Sequence, residues 1–192
     1  AFGQAAAALT AYEIDPKEYE NKLVFLMGVD KARFRNPVVP DCELQLEIVE
    51  VLRGKYNRVV NETVVSGPGL RNIHWALHCI KNKRYEEYSS EEIFKQIHNS
   101  EIAKLSVDLF FEMLGQIAGD FALAIGAFDG VLITGDLINS NSHLMQESFF
   151  RFGFENKDNY QNLMQNIPTS IINIPEVGLL GIYQFYNLKQ AE

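Results

Sequence analysis

Residues 100–124 limit the folds open to this chain more than any other stretch. Leu109, Met113, Ile117 and Phe121 recur every four residues, and Phe110, Leu114, Ala118 and Ala122 form the neighbouring row. Rows at that spacing make a broad apolar stripe on one helix, which must be buried on at least one side. Gly115 and Gly119 interrupt the stripe. Glycine lowers helix propensity, so two of them in a buried helix predict close packing against another element. The chain has 192 residues, 47% of them hydrophobic. That is enough apolar material for one ordinary domain around such a helix.

Other segments are read by the same local rules. Residues 1–12 are alanine-rich and read as a helix, and Asp15-Pro16 breaks it. Residues 22–35 contain the run LVFLMGV, and in residues 42–52 Leu44, Leu46 and Ile48 alternate with Glu43, Gln45 and Glu47. Period two predicts a half-buried strand there. After the turn Arg53-Gly54-Lys55, residues 56–65 read as a third strand, which makes an antiparallel meander. Ser66-Gly67-Pro68-Gly69 opens a helix to about Lys81, because serine caps well and proline is tolerated in a first turn. Ser89 and Glu92 fit a capping box for a further helix. Residues 130–134 (GVLIT) read as a short buried strand. Helices are expected around 144–152, 159–165 and 177–187, with a strand at 168–174.

Charge narrows the function classes. The net charge is −8, which argues against nucleic acid held by a broad basic face. No apolar run approaches the ~18 residues that span a bilayer, so no membrane partner is expected. Residues 1–11 lack a basic n-region and do not read as a signal peptide. Starting at Ala1 rather than Met, the chain has the look of a fragment. Cys42 and Cys79 are too few for a disulfide scaffold and read as reduced thiols of a cytoplasmic protein. His74 and His78 stand at i, i+4, a spacing that metal ligands use. No third ligand is evident, and Trp75 and Leu77 favour an ordinary half-buried helix, so no metal site is assigned.

Longer strings carry a resemblance. ETVVSGPGL (62–70) with Asn72, GAFDGVLITG (126–135), FGFENK (152–157), Ile167-Pro168 and PEVGLLG (175–181) follow one another in order. Together they resemble the C-terminal half of bacterial-type glucokinases, over about residues 58–188. The resemblance implies a ribonuclease-H-like or actin-like ATPase lobe, with Mg-ATP and glucose as partners and phosphoryl transfer to the 6-hydroxyl. It implies that Glu62 contacts sugar hydroxyls, which a carboxylate accepts well. It also implies that Gly67, Gly69, Gly130, Thr134 and Gly135 serve the nucleotide. Asp129 and Asp136 stand where that family usually has glycine.

Residues 1–57 resemble a different family, the hot-dog-fold 3-hydroxyacyl-[acyl-carrier-protein] dehydratases. The matching strings are AFGQAAAAL and GVDKARFRNPVVP. That likeness implies an acyl carrier protein partner, met by Lys31, Arg33 and Arg35. The dehydratase histidine and acid are absent, as are the catalytic Asp lobe and phosphate loop of a glucokinase, so no catalytic residue is assigned. The expected architecture is one α/β domain over residues 1–192: a mixed sheet of about five strands, helices on both faces, and a hot-dog-like N-terminal helix and strands. The function expected is glucokinase-like and inactive in this chain alone. A dehydratase-related fragment and a non-catalytic chimera are the alternatives.

Overall fold

The computed structural model of the chain describes residues 22–29 and 35–172, with Tyr183 and Asn187 as single positions. The expected helices at 1–12 and 177–187 lie outside the described residues, as do Lys31 and Arg33. Element order is β1 (Val24–Gly28), α1 (Glu43–Arg53), α2 (Asn61–Val64), α3 (Gly67–Ile80), α4 (Ser90–Lys95), α5 (Glu101–Ile125), β2 (Gly130–Thr134), α6 (Asp136–Ser140), α7 (Ser142–Gln146), α8 (Phe150–Glu155), α9 (Gln161–Gln165) and β3 (Thr169–Ile171).

The described strands form one parallel sheet in the order β1-β2-β3. Val24 pairs with Gly130, and Val131 pairs with Thr169. Side chains alternate across it. Phe25, Met27, Val29, Val131, Ile133 and Ile171 join the main core, whereas Leu26, Leu132 and Ile172 form a separate cluster. The long helix α5 packs on the core side, with Phe121 stacked on Phe25 at 5.6 Å between ring centroids.

The α/β class expected from sequence is what the chain adopts, but the antiparallel meander is not. Residues 43–53 form a helix, and among the described residues the sheet is parallel rather than mixed. Glu, Leu and Gln are good helix formers, and the segment satisfies two periods at once. As a helix it buries Gln45, Ile48, Val49 and Leu52 and sends Leu46 outward. Residues 56–65 are no strand either. They make a single antiparallel bridge, Pro37 to Val60, and then turn into α2, whose start is held by the Val60 N–H donating to Thr63 Oγ1 at 3.1 Å. The segment expected as one helix at 144–152 is divided between α7 and α8.

Serine caps start three helices. Ser66 Oγ accepts from Gly69 N–H, Ser89 Oγ from Glu92 N–H, and Ser100 Oγ from Ala103 N–H. The close packing expected of Gly115 and Gly119 is present. A Cβ on Gly115 would fall on the Phe150 carbonyl, and one on Gly119 would lie 2.6 Å from the Phe154 oxygen. From the other side, a Cβ on Gly153 would overlap the Glu112 carbonyl. Helices α5 and α8 therefore meet backbone to backbone.

Candidate functional site

Glu62 sits on α2, immediately before the cap of α3. The turn that carries it is held at two carbonyls, its own and that of Thr63. Ser66 Oγ donates to the Glu62 carbonyl at 2.8 Å while accepting from Gly69 N–H at 3.0 Å. Asn72, 6% exposed, donates from Nδ2 to the Thr63 carbonyl at 2.9 Å. Its Oδ1 accepts from the Tyr56 hydroxyl at 3.0 Å and from Lys55 Nζ at 3.4 Å. Lys55 Nζ in turn lies 5.2 Å above the Trp75 ring. Trp75 packs against the core but is only half-buried. The half-buried Glu62 carboxylate has no hydrogen bond or ion pair among the described residues. It is an acceptor held at a fixed place and left open.

Gly67 and Gly69 lie at the same junction, and packing accounts for Gly69. A Cβ there would overlap the Val64 carbonyl, and its N–H is already spent on Ser66. The Gly67 carbonyl accepts from Ser90 Oγ at 2.7 Å, which ties α4 to the start of α3.

The remaining sequence-derived positions divide between the two ends of β2. Thr134 and Gly135 are at its carboxyl end, beside Val29, whose N–H donates to the Thr134 carbonyl at 2.9 Å. Ligands of open parallel sheets bind beyond the carboxyl ends of the strands. Gly135 has φ +142°, a backbone state that favours glycine, and Asp136 follows it as the first residue of α6. Gly130 is at the opposite end, about 16 Å away by strand rise. There it has φ +152° and faces Pro168, whose carbonyl accepts from Val131 N–H. Asp129 is at that end too, and its carboxylate accepts from the Leu23 N–H at 2.8 Å. Gly130 and Asp129 thus join β1, β2 and the approach to β3, and the structure does not bring Gly130 together with Thr134 and Gly135.

One polar cluster gives no sign in the local sequence, because its members come from distant segments. The fully buried Gln45 of α1 accepts from Asp41 N–H at 3.0 Å and donates to Glu112 Oε1 at 3.2 Å. Burial raises the Glu112 carboxyl above its ordinary value, and Asp41 and Asp108 add to the rise. Burial also raises Asp41; Lys157 opposes this, and Asp120 and Asp158 reinforce it. Gln116 lies close enough to favour the charged form of Asp41, yet its Nε2 has no acceptor in hydrogen-bonding geometry.

Carboxyls with raised values in the folded state destabilise it once they are ionised. Their penalty grows as pH rises from about 4 through the raised values. Glu112→Gln keeps an oxygen for Gln45 and removes the charge. It should raise the denaturant midpoint at pH 7 and lose that advantage at pH 4. Equal gains at both pH values would show that repulsion and burial of charge are not the cause.

Among the described residues, no group of three or more His, Cys, Asp and Glu side chains is placed to hold a metal ion, and no helix is long and apolar enough to cross a membrane. Cys42 and Cys79 are free and exposed.

A glucokinase family model matches residues 37–189. That match takes in residues 37–57, which the sequence reading placed with the dehydratase-like segment. The glucokinase of Xylella fastidiosa (strain 9a5c) is 36% identical over 143 residues, covering 74% of this chain and 42% of that protein. The chain therefore spans less than half the length of the curated relatives it matches. Among solved structures, a glucokinase from an Antarctic psychrotroph superposes with a TM-score of 0.81 at 20% identity, covering 96% of this chain and 67% of the other. The glucokinase from Balamuthia mandrillaris in complex with glucose gives 0.70 at 18% identity, with 93% and 62% covered. By the extent of the family match and by its parallel α/β fold, the chain belongs to the glucokinase family.

Proposed function

We propose that the chain supplies the sugar-contacting carboxylate and the sheet-end nucleotide surface of a glucokinase. The reaction is phosphoryl transfer from Mg-ATP to the 6-hydroxyl of glucose, in the cytoplasm. The observation that carries this reading is Glu62, a carboxylate without a partner among the described residues, whose own carbonyl is held by Ser66 and whose neighbour Thr63 is held by Asn72. Glu62 accepts hydrogen bonds from sugar hydroxyls, and Thr134 and Gly135 form the backbone edge toward the nucleotide. Gly67 and Gly69 shape the junction that holds Glu62. Mg2+ arrives with the nucleotide's phosphates. Transfer depends on positioning and on charge stabilisation around the phosphoryl group. Residues 1–192 contain no phosphate loop or base aspartate of the family's kind, so the part of the reaction assigned to them is ligand binding.

No observation favours acyl carrier protein as a partner. Residues 43–53 are helical, and of Lys31, Arg33 and Arg35 only Arg35 lies among the described residues, exposed.

Thermal unfolding with glucose and with Mg-ADP, added separately, tests the proposal. Ligand at a hundred times its dissociation constant stabilises by about 2.7 kcal/mol. In a chain this long that raises the midpoint by about 5–10 °C. Glu62→Gln should abolish the glucose shift and leave the Mg-ADP shift. A cooperative transition that neither ligand moves would reduce the kinase reading to a statement of ancestry.

A further inference from the structure

His74 and His78 lie one turn apart on α3, with ring centroids 4.7 Å apart and planes at 65°. Their hydrogen bonds determine which nitrogens are available. Ser106 Oγ donates its proton to the Ile102 carbonyl at 2.6 Å. The 3.0 Å contact from His74 Nδ1 to Ser106 Oγ must therefore be an N–H donated by the imidazole. That fixes the tautomer, so Nε2 carries an unshared pair. His74 is 2% exposed, and among the described residues its Nε2 has no partner; His78 Nδ1 is likewise buried and unpartnered there. Two buried nitrogens on rings one helical turn apart, unpartnered among the described residues, call for a physical cause, and a bound ion is one such cause.

We propose that His74 Nε2 and His78 Nδ1 hold one divalent transition-metal ion of the imidazole-preferring kind, such as Zn2+, with water completing its shell. An ion bonded to each ring at 2.0–2.1 Å sits about 3.2 Å from each centroid. Centroids 4.7 Å apart then correspond to an N–metal–N angle of about 95°, which is open to both tetrahedral and tetragonal shells. Ser106 plays the outer part usual at such sites, accepting the ligand's other N–H and setting the ring orientation. Tyr85 and Tyr88 face the pair at 5.7–6.3 Å, and these two rings and His78 are half-buried, forming the solvent side of the cluster. The site uses none of the residues assigned to glucose or nucleotide, so it stands or falls apart from the kinase reading.

Zn2+ added to chelator-treated protein, followed by imidazole 15N spectra, tests the site. Before addition, His74 should show the Nδ1–H tautomer. One equivalent of Zn2+ should move His74 Nε2 and His78 Nδ1 together and leave His98 and His143 in place. His78→Gln should weaken binding at this site at least about tenfold, and Ser106→Ala should weaken it about tenfold with both nitrogens still shifting. An unmoved His74 Nε2 at saturating Zn2+, or a His74 response undiminished in His78→Gln, would overturn the proposal. Both variants alter half-buried or small side chains, so the folded protein remains available for the measurement.

Discussion

Replacing Gly115 with alanine should cost about 3 kcal/mol or more of folding free energy, measured as a fall in the denaturant midpoint. The cause is geometric. The new methyl would occupy the place of the Phe150 carbonyl, and both neighbours in the clash are backbone. A flexible side chain would rotate away, but here two helices must separate. Separation opens gaps along a contact that includes Phe150, 2% exposed, and Phe154, fully buried. Gly153→Ala presses on the same contact from α8, against the Glu112 carbonyl, and should cost a similar amount. Gly28 provides the control. Nothing lies within 4 Å of a Cβ placed there, so Gly28→Ala should be neutral or should stabilise by a few tenths of a kcal/mol through the unfolded chain. Domains of this kind are stable by about 5–15 kcal/mol, so Gly115→Ala and Gly153→Ala each consume a large part of the total. If Gly115→Ala unfolds at the wild-type midpoint, α5 and α8 are not in backbone contact.

The second large effect is expected at Arg151. Its guanidinium donates from Nη1 to the Ile167 carbonyl at 3.0 Å and to Thr169 Oγ1 at 3.3 Å, and from Nη2 to the Met164 carbonyl at 3.2 Å. Nε donates to Glu155 at 2.8 Å, and the group lies 4.8 Å above the Phe154 ring. One side chain thus joins α8, the end of α9 and the start of β3. Charge-assisted bonds from a guanidinium to backbone oxygens contribute about 1.5–3 kcal/mol. Lysine conserves the charge but has a single nitrogen and cannot reach all three acceptors. Arg151→Lys should therefore cost about 2–3 kcal/mol, close to the cost of Arg151→Gln. Glu155→Gln, which breaks only the half-exposed i, i+4 ion pair, should cost about 0.5 kcal/mol or less. If Glu155→Gln proved as damaging as Arg151→Lys, the ion pair and not the carbonyl bonds would be holding this corner.

Signals local to the chain were legible in the sequence. Ser66 and Ser89 cap helices as expected, because a cap is decided within four residues. The stripe of α5 and its glycine spacing pointed to a buried helix in close contact, though not to α8 as the partner. Residues 43–53 misled because their apolar positions fit both periods, and only tertiary contact selects the face containing Gln45 and Ile48. Glu62 and the Gly-Pro-Gly that follows it were found through family resemblance. Asn72 was part of the same string, but its role needs Tyr56, Lys55 and Thr63 brought around it. The pairing of Gln45 with Glu112 joins residues 67 positions apart, which no window of sequence contains.

The pairing of Val24 with Gly130 has a consequence for biosynthesis. A strand made early must wait for a partner 106 residues later in the chain. At about 5–20 residues per second, that interval is on the order of 5–20 s. Helices α1 to α5 assemble largely from neighbours in sequence and have time to form within it. During that wait the run Val24-Phe25-Leu26-Met27 lacks β2, its partner among the described strands, and the edge that faces β2 is unpaired. The β2-facing edge of the nascent chain is therefore open to aggregation, or to a chaperone, until β2 leaves the ribosome.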